Sequence, residues 1–365
     1  VSTPTADTRA RRDRLRALLV AQDLDALLVT DLLNIRYLTG FTGSNAALLV
    51  AADPAGDLFC TDGRYETQSA AEVPDLPLVL DRASDLALAG KAQGRTGFEA
   101  AHVSVLALER LEAAATGARL SGTADLVEGL RAVKDQGEIE LLRQACAVAD
   151  RAFAELIAAG GIGAGRTERE VGLDLDQRMR LLGAREPSFE TIVAAGPNSA
   201  IPHHRPTGAV LATGDLVKFD FGAEVGGYHS DMTRTVVLGP PADWQREIYD
   251  LVAAAQQAGC DALVPGITGG EVDAVSRDVI TAAGYGERFA HGLGHGIGLE
   301  IHEAPGLGRG AAAIIDADMC VTVEPGVYLP GRGGVRIEDS GVVRNGAPGS
   351  RYEVLTLTSK ELLEL

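Results

Sequence analysis

An α/β domain followed by an α+β domain is the fold class this 365-residue chain predicts. Three observations carry that reading. The length exceeds one ordinary domain and allows a sizeable core. Helical periodicity alternates with short apolar runs at first, whereas long helical stretches and β-rich segments dominate the second half, as when helices pack on one side of a mostly antiparallel sheet. Apolar residues make up 46% of the chain and charged residues 23%, which fits a packed globular protein rather than a disordered or fibrous one.

Taken in order, residues 9–22 place leucines at helical spacing, with the basic run from Arg9 to Arg16 expected on the solvated face. DALLVT reads as a short buried strand before a turn at Asp31 to Asn34. AALLVAAD and GDLFCTD read as strands separated by the turn Asp53-Pro54-Ala55-Gly56. Helical patterns at Tyr65 to Glu72 and Val103 to Ala115 alternate with strands such as LPLVL. A polar, glycine-containing stretch places a linker near residues 120–134, dividing a first domain, 1–125, from a second, 132–365. A long amphipathic helix then runs to about Ala159. Further helices are expected at Thr167 to Gly183, Ala242 to Ala258 and Gly270 to Ala283, capped by Thr167, Asp243 and Thr268. LVKFDFGAEV, GYHSDMTRTVVLG, MCVTVEP, GVRIEDSGVVR and YEVLTL supply the strands of the second domain.

Charge and composition exclude several classes. A net charge of −18 repels phosphate backbones, so nucleic acid is not an expected partner. No run of 18 apolar residues exists, so no membrane partner is expected, and the first residues lack the apolar stretch of a secretory signal. The four cysteines, Cys60, Cys146, Cys260 and Cys320, stand singly without a C-x-x-C pair. They read as small core residues of a reduced, cytoplasmic protein.

Chemistry concentrates in Asp220, Asp231, His295, Glu324 and Glu338, the carboxylates and imidazole that a pair of divalent cations would need. LVKFDFGAEVGGYHSDMTRTVV reads as a hairpin turning at Gly226-Gly227, which sets residue 220 opposite 233 and residue 222 opposite 231. Asp220 and Asp231 then share one face as diagonal neighbours, and Gly222 leaves a gap where an ion could sit. Two acids on one face are more often solvated at a sheet edge, but Val217, Phe219 and Phe221 point to a half-buried sheet.

Six of the seven histidines fall between residues 203 and 302, which packing alone does not explain. In HGLGHGIGLEIHE the four alternating glycines oppose a helix, and the absence of a following Lys-Ser/Thr opposes a phosphate loop. His203, in NSAIPHHRP, has a surface or hydrogen-bonded histidine as its plain alternative; His204 and His229 are left at that alternative. Glu324 ends the apolar run VTV before Pro325-Gly326. Arg336, two residues before Glu338, either orients a carboxylate or holds substrate, with an ordinary ion pair as the alternative.

DFG, SDMTR, HGLGHGIG, VEPG and RIED, in that order, resemble the signature of the pita-bread metallopeptidases, which include methionine aminopeptidase, Xaa-Pro aminopeptidase and prolidase. The resemblance implies a pita-bread second domain, creatinase/aminopeptidase-like, and two divalent ions, manganese first, with cobalt or zinc as alternatives. By the same resemblance Asp220 chelates one ion, Asp231 and Glu338 bridge both, and His295 and Glu324 bind the other. Glu324 is the implied proton shuttle, His302 steadies the developing oxyanion, His203 contacts the leaving nitrogen and His291 lines the substrate pocket. NIRYLTGFTGSNAALLV and TDGRY look like the amino-terminal domain of the proline-specific branch, which implies Xaa-Pro peptides as substrates and a homodimer. Within that branch TDGRY favours an Xaa-Pro aminopeptidase, with the Xaa-Pro dipeptidase, prolidase, as the alternative. A non-catalytic pita-bread binding module and a metal-free creatinase-like hydrolase are the competing classes; both usually lose the ligand acids that this chain keeps.

Overall fold

A computed structural model describes residues 7–346 and 351–365. Two compact units result, one ending at Arg131 and the other running Ala132–Leu365. The first is built on a six-stranded sheet in the spatial order Leu78–Leu80, Leu58–Thr61, Ala46–Ala51, Ala26–Val29, Gly94–Glu99, Ala118–Thr123. Ala26–Val29 and Ala118–Thr123 both run parallel to Gly94–Glu99, while Ala46–Ala51 joins as an antiparallel hairpin arm. Helices Ser84–Ala89 and Val105–Ala114 cover one face, packing Leu88, Ala89 and Leu111 on Leu28, Leu49 and Cys60.

Three local expectations in this unit are corrected. The residues read as a turn, Asp31 to Asn34, open the helix Leu32–Thr39, because the Asp31 carboxylate accepts from the Leu33 N–H at 2.9 Å and caps it. The basic run of helix Thr8–Ala21 is not all solvated: Arg11, Arg12 and Arg16 are buried. Arg11 and Arg12 donate to the carbonyls of Tyr37 and Leu38, and Arg16 pairs with Asp57. The stretch read as a linker, 120–134, takes in the end of the strand Ala118–Thr123 and the helix Leu126–Ala132, and the two units divide within it, after Arg131.

In the second unit every pairing between named strands is antiparallel among the described residues. One sheet runs Met232–Val237, Leu216–Phe221, Ile192–Ala195, and another Glu303–Leu307, Gly294–Gly296, Cys320–Val323, Asp339–Val343, Tyr352–Val354. Helices Gln136–Ala158 and Glu168–Leu181 press Phe153, Leu175 and Met179 onto Val193, Phe219 and Phe221 of the first sheet. Helices Asp243–Ala262 and Gly269–Ala282 press Ile248, Val252 and Ile280 onto Val321, Val323 and Val343 of the second. Thr167 and Thr268 cap their helices in boxes with Glu170 and Glu271. Asp243 is the first helical residue rather than a cap; the capping position is Ala242, whose N–H donates to the Gln245 side chain at 2.8 Å. The four cysteines are buried and unpaired.

Candidate metal centre

The hairpin builds the first half of the site. Gly226 and Gly227 both take positive φ, 60° and 87°, the conformation that a two-residue turn matching strand twist requires. Register follows as expected: Asp220 lies opposite Thr233, and Glu224 opposite His229. Gly222 does not leave room for an ion, contrary to the expectation. A Cβ there would meet the Ser230 carbonyl oxygen at 1.8 Å, so its missing side chain lets two backbones close on each other.

Asp220 and Asp231 are 7% and 5% exposed, in a unit whose sheets are covered by helices. Glu338, 2% exposed, approaches from the next layer: its N–H donates to the Thr233 carbonyl at 3.1 Å and its Oε2 accepts from the Thr233 hydroxyl at 2.7 Å. Glu324 follows Cys320–Val323, its N–H tied to the Leu293 carbonyl at 2.8 Å. His295 sits in the short strand Gly294–Gly296 rather than a helix, with Nε2 3.6 Å from Asp231 and 3.5 Å from Glu324. One ligand atom from each of Asp231, His295 and Glu338 lies within 4.8 Å of the others. All five residues line one cavity of about 270 Å3.

Asp220 Oδ1, Asp231 Oδ1 and Glu338 Oε1 are buried without a hydrogen-bond partner among the described residues. Uncompensated buried carboxylates are costly, because burial disfavours the charged form. Burial, reinforced by the neighbouring acids, raises Asp231 and Glu338 well above the usual carboxylate range and pushes Glu324 up to about 8. A divalent cation removes that conflict, so the donor set fits one. His295 suits it too: burial lowers its pKa to about 4, and its Nδ1–H donates to the Gly296 carbonyl at 3.0 Å, leaving Nε2 a lone pair.

Arg336 is 2% exposed and braces the acids from behind. Its Nη2 donates to Asp220, its Nε to Thr233 Oγ1 at 2.9 Å, and its Nη1 to the Tyr328 hydroxyl at 3.0 Å and the Pro202 carbonyl at 3.2 Å. His203 and His302 are exposed and line the same cavity, the His302 ring 4.3 Å from that of His295. His291, expected at the substrate pocket, is not among the residues that line this cavity. Its Nδ1–H donates to the Gly292 carbonyl and its Nε2 meets the Tyr328 hydroxyl, both at 2.8 Å. It therefore supports Arg336 through Tyr328.

Sequence reasoning missed several residues that shape this site. Thr233 touches both Glu338 and Arg336, and the hairpin register that placed it opposite Asp220 was sufficient to find it. Lys218 donates to the carbonyls of Ile201 and Pro202, and Glu168 accepts from His204 and Thr207, so both fasten the loop that carries His203. No local motif announces those two contacts.

Residues 140–345 match Metallopeptidase family M24, and residues 11–133 match the Creatinase/Prolidase N-terminal domain. An Xaa-Pro dipeptidase of Pyrococcus furiosus is 34% identical over 97% of this chain and 100% of its own length. The solved Xaa-Pro dipeptidase from Bacillus anthracis is 39% identical, with a TM-score of 0.92, covering 98% of this chain and 100% of that one. An X-Pro aminopeptidase from Thermotoga maritima is 34% identical with a TM-score of 0.87, covering 97% and 99%. With Asp220, Asp231, His295, Glu324 and Glu338 lining one cavity, the chain belongs to the pita-bread metallopeptidases of family M24, in the form that carries a creatinase/prolidase-type amino-terminal domain.

Proposed function

We propose that the protein is an Xaa-Pro dipeptidase, a prolidase, that works with two divalent ions, manganese first among them. The observation that carries the metal reading is the set of buried, partnerless carboxylate oxygens on Asp220, Asp231 and Glu338 beside a neutral His295. Full-length similarity to proteins named Xaa-Pro dipeptidase supports the dipeptide over the longer substrate that TDGRY suggested. The aminopeptidase remains the second reading, favoured by the Thermotoga maritima structure.

Asp220, Asp231, His295, Glu324 and Glu338 would hold the ions. When bound, the pair supplies Lewis acidity at the scissile carbonyl and acidifies a water beside it. Around them the chain's own groups do the rest. Thr233 and Arg336 fix the rotamers of Glu338 and Asp220, so the ligands are preorganised. Glu324, which lines the cavity beside His295, is assigned the proton shuttle: as a carboxylate it takes a proton from the attacking water and returns it to the leaving group. His302 steadies the carbonyl oxygen as charge develops. His203 faces the leaving imide nitrogen, which becomes a secondary amine and must gain a proton. The homodimer and cytoplasmic location expected from the sequence belong to the same reading.

Rates on alanyl-proline and alanyl-prolyl-glycine after manganese loading test it. The dipeptide should be cleaved at least ~100-fold more efficiently, a difference of about 2.7 kcal/mol. Equal rates would replace the dipeptidase with the aminopeptidase.

A further inference from the structure

A dipeptide brings into the cavity a charge that a longer peptide lacks there: the proline carboxylate, separated from the imide nitrogen only by the ring Cα. Recognition of that carboxylate needs a cation with free donors. Among the residues lining the cavity the arginines are Arg205 and Arg336. Arg336 is 2% exposed, and each of its nitrogens already donates within the protein, to Thr233, Tyr328, Pro202 and Asp220. It is committed to the acids.

Arg205 differs in position and in commitment. It lies two residues beyond His203, the histidine assigned to the leaving nitrogen, and lines the same cavity. Its guanidinium pairs with Glu190, Nε to Oε2 at 3.1 Å, with the two side chains 83% and 63% exposed. Glu190 also lines the cavity, so the pair stands at its mouth. An ion pair this exposed is weak, and a carboxylate arriving beside it can take over the guanidinium with little loss.

We infer that Arg205 binds the C-terminal carboxylate of an Xaa-Pro dipeptide, and that Glu190 holds the guanidinium at the mouth until substrate displaces it. The inference rests on the dipeptidase reading and names a residue that contributes to its selectivity. A longer peptide presents a neutral amide at this point and forfeits the charge-assisted contact.

The test uses the full-length, manganese-loaded protein with alanyl-proline and its neutral counterpart alanyl-prolinamide. Arg205→Gln should raise KM for alanyl-proline ~2- to 5-fold, the range for an ion pair at an exposed guanidinium, with the effect on KM rather than kcat. The amide, read by KM or by its competitive inhibition constant if it is not cleaved, should bind the variant as it binds the wild type. Arg205→Lys should recover part of the loss, and Glu190→Gln should lower KM for alanyl-proline alone. If Arg205→Gln shifts acid and amide by the same factor, or shifts neither, the assignment is wrong. A wild type that cleaves alanyl-prolyl-glycine as well as alanyl-proline removes the dipeptidase reading instead, so the two failures are distinguishable.

Discussion

Thr233 accepts from Arg336 and donates to Glu338, which places one hydroxyl between a buried cation and a buried acid. Thr233→Val keeps the shape but removes both contacts. Glu338 then loses its orienting donor, and the affinity for manganese should fall ~10- to 100-fold with the fold intact. Metal titration of the apoprotein checks this, and a variant with wild-type affinity would end the positioning role. Glu324 carries the proton-transfer claim. Glu324→Gln should lower kcat ~100-fold or more; a variant that keeps both ions and near-full turnover would assign the shuttle elsewhere. At this scale the chemistry-bearing residues were legible, because acids and histidines in glycine-rich strands declare themselves. The braces were not: Tyr328 reaches Arg336 and His291 through tertiary contacts that no spacing encodes.

The hairpin through Gly226-Gly227 is the element on which the site depends. Its register was readable because a positive-φ dipeptide between alternating strands allows only one tight pairing, and a one-residue slip would send Asp220 to the other face. Gly222 was misread for an instructive reason. A glycine opposite an acid suggests space, whereas here the Ser230 carbonyl fills it. Gly222→Ala should therefore cost ~2 kcal/mol or more by overpacking and displace Asp231, lowering both the melting temperature and the metal content. Wild-type values of both would show that the strands can part without harm. The turn expected at Asp31 to Asn34 failed similarly, since aspartate is as good a helix cap as a turn former and only the following contacts decide. Arg11, Arg12 and Arg16 looked solvated because their partners, such as Tyr37, Leu38 and Asp57, lie far along the chain.

Across the whole second unit, helices covering the sheets bury a concentration of negative charge, and in the proposed reading divalent ions would stabilise that arrangement. The order α/β then α+β was legible from periodicity, and the family from ordered motifs; the way separate strands converge on one cavity was not, because it follows from packing between sheets. Manganese should raise the melting temperature of the apoprotein by mass action. Since burial raises the acids' pKa values, with Glu324 at about 8, protons compete with the metal, and that rise should shrink as pH falls from about 8 towards 5. A pH-independent rise would place the metal away from these acids. The most direct test of the dinuclear site is alanyl-proline turnover measured against bound metal as apoprotein is titrated with manganese. Turnover should be absent without metal and rise to a plateau at about two ions per chain. Full turnover without metal, or saturation below about one ion per chain, would contradict the account.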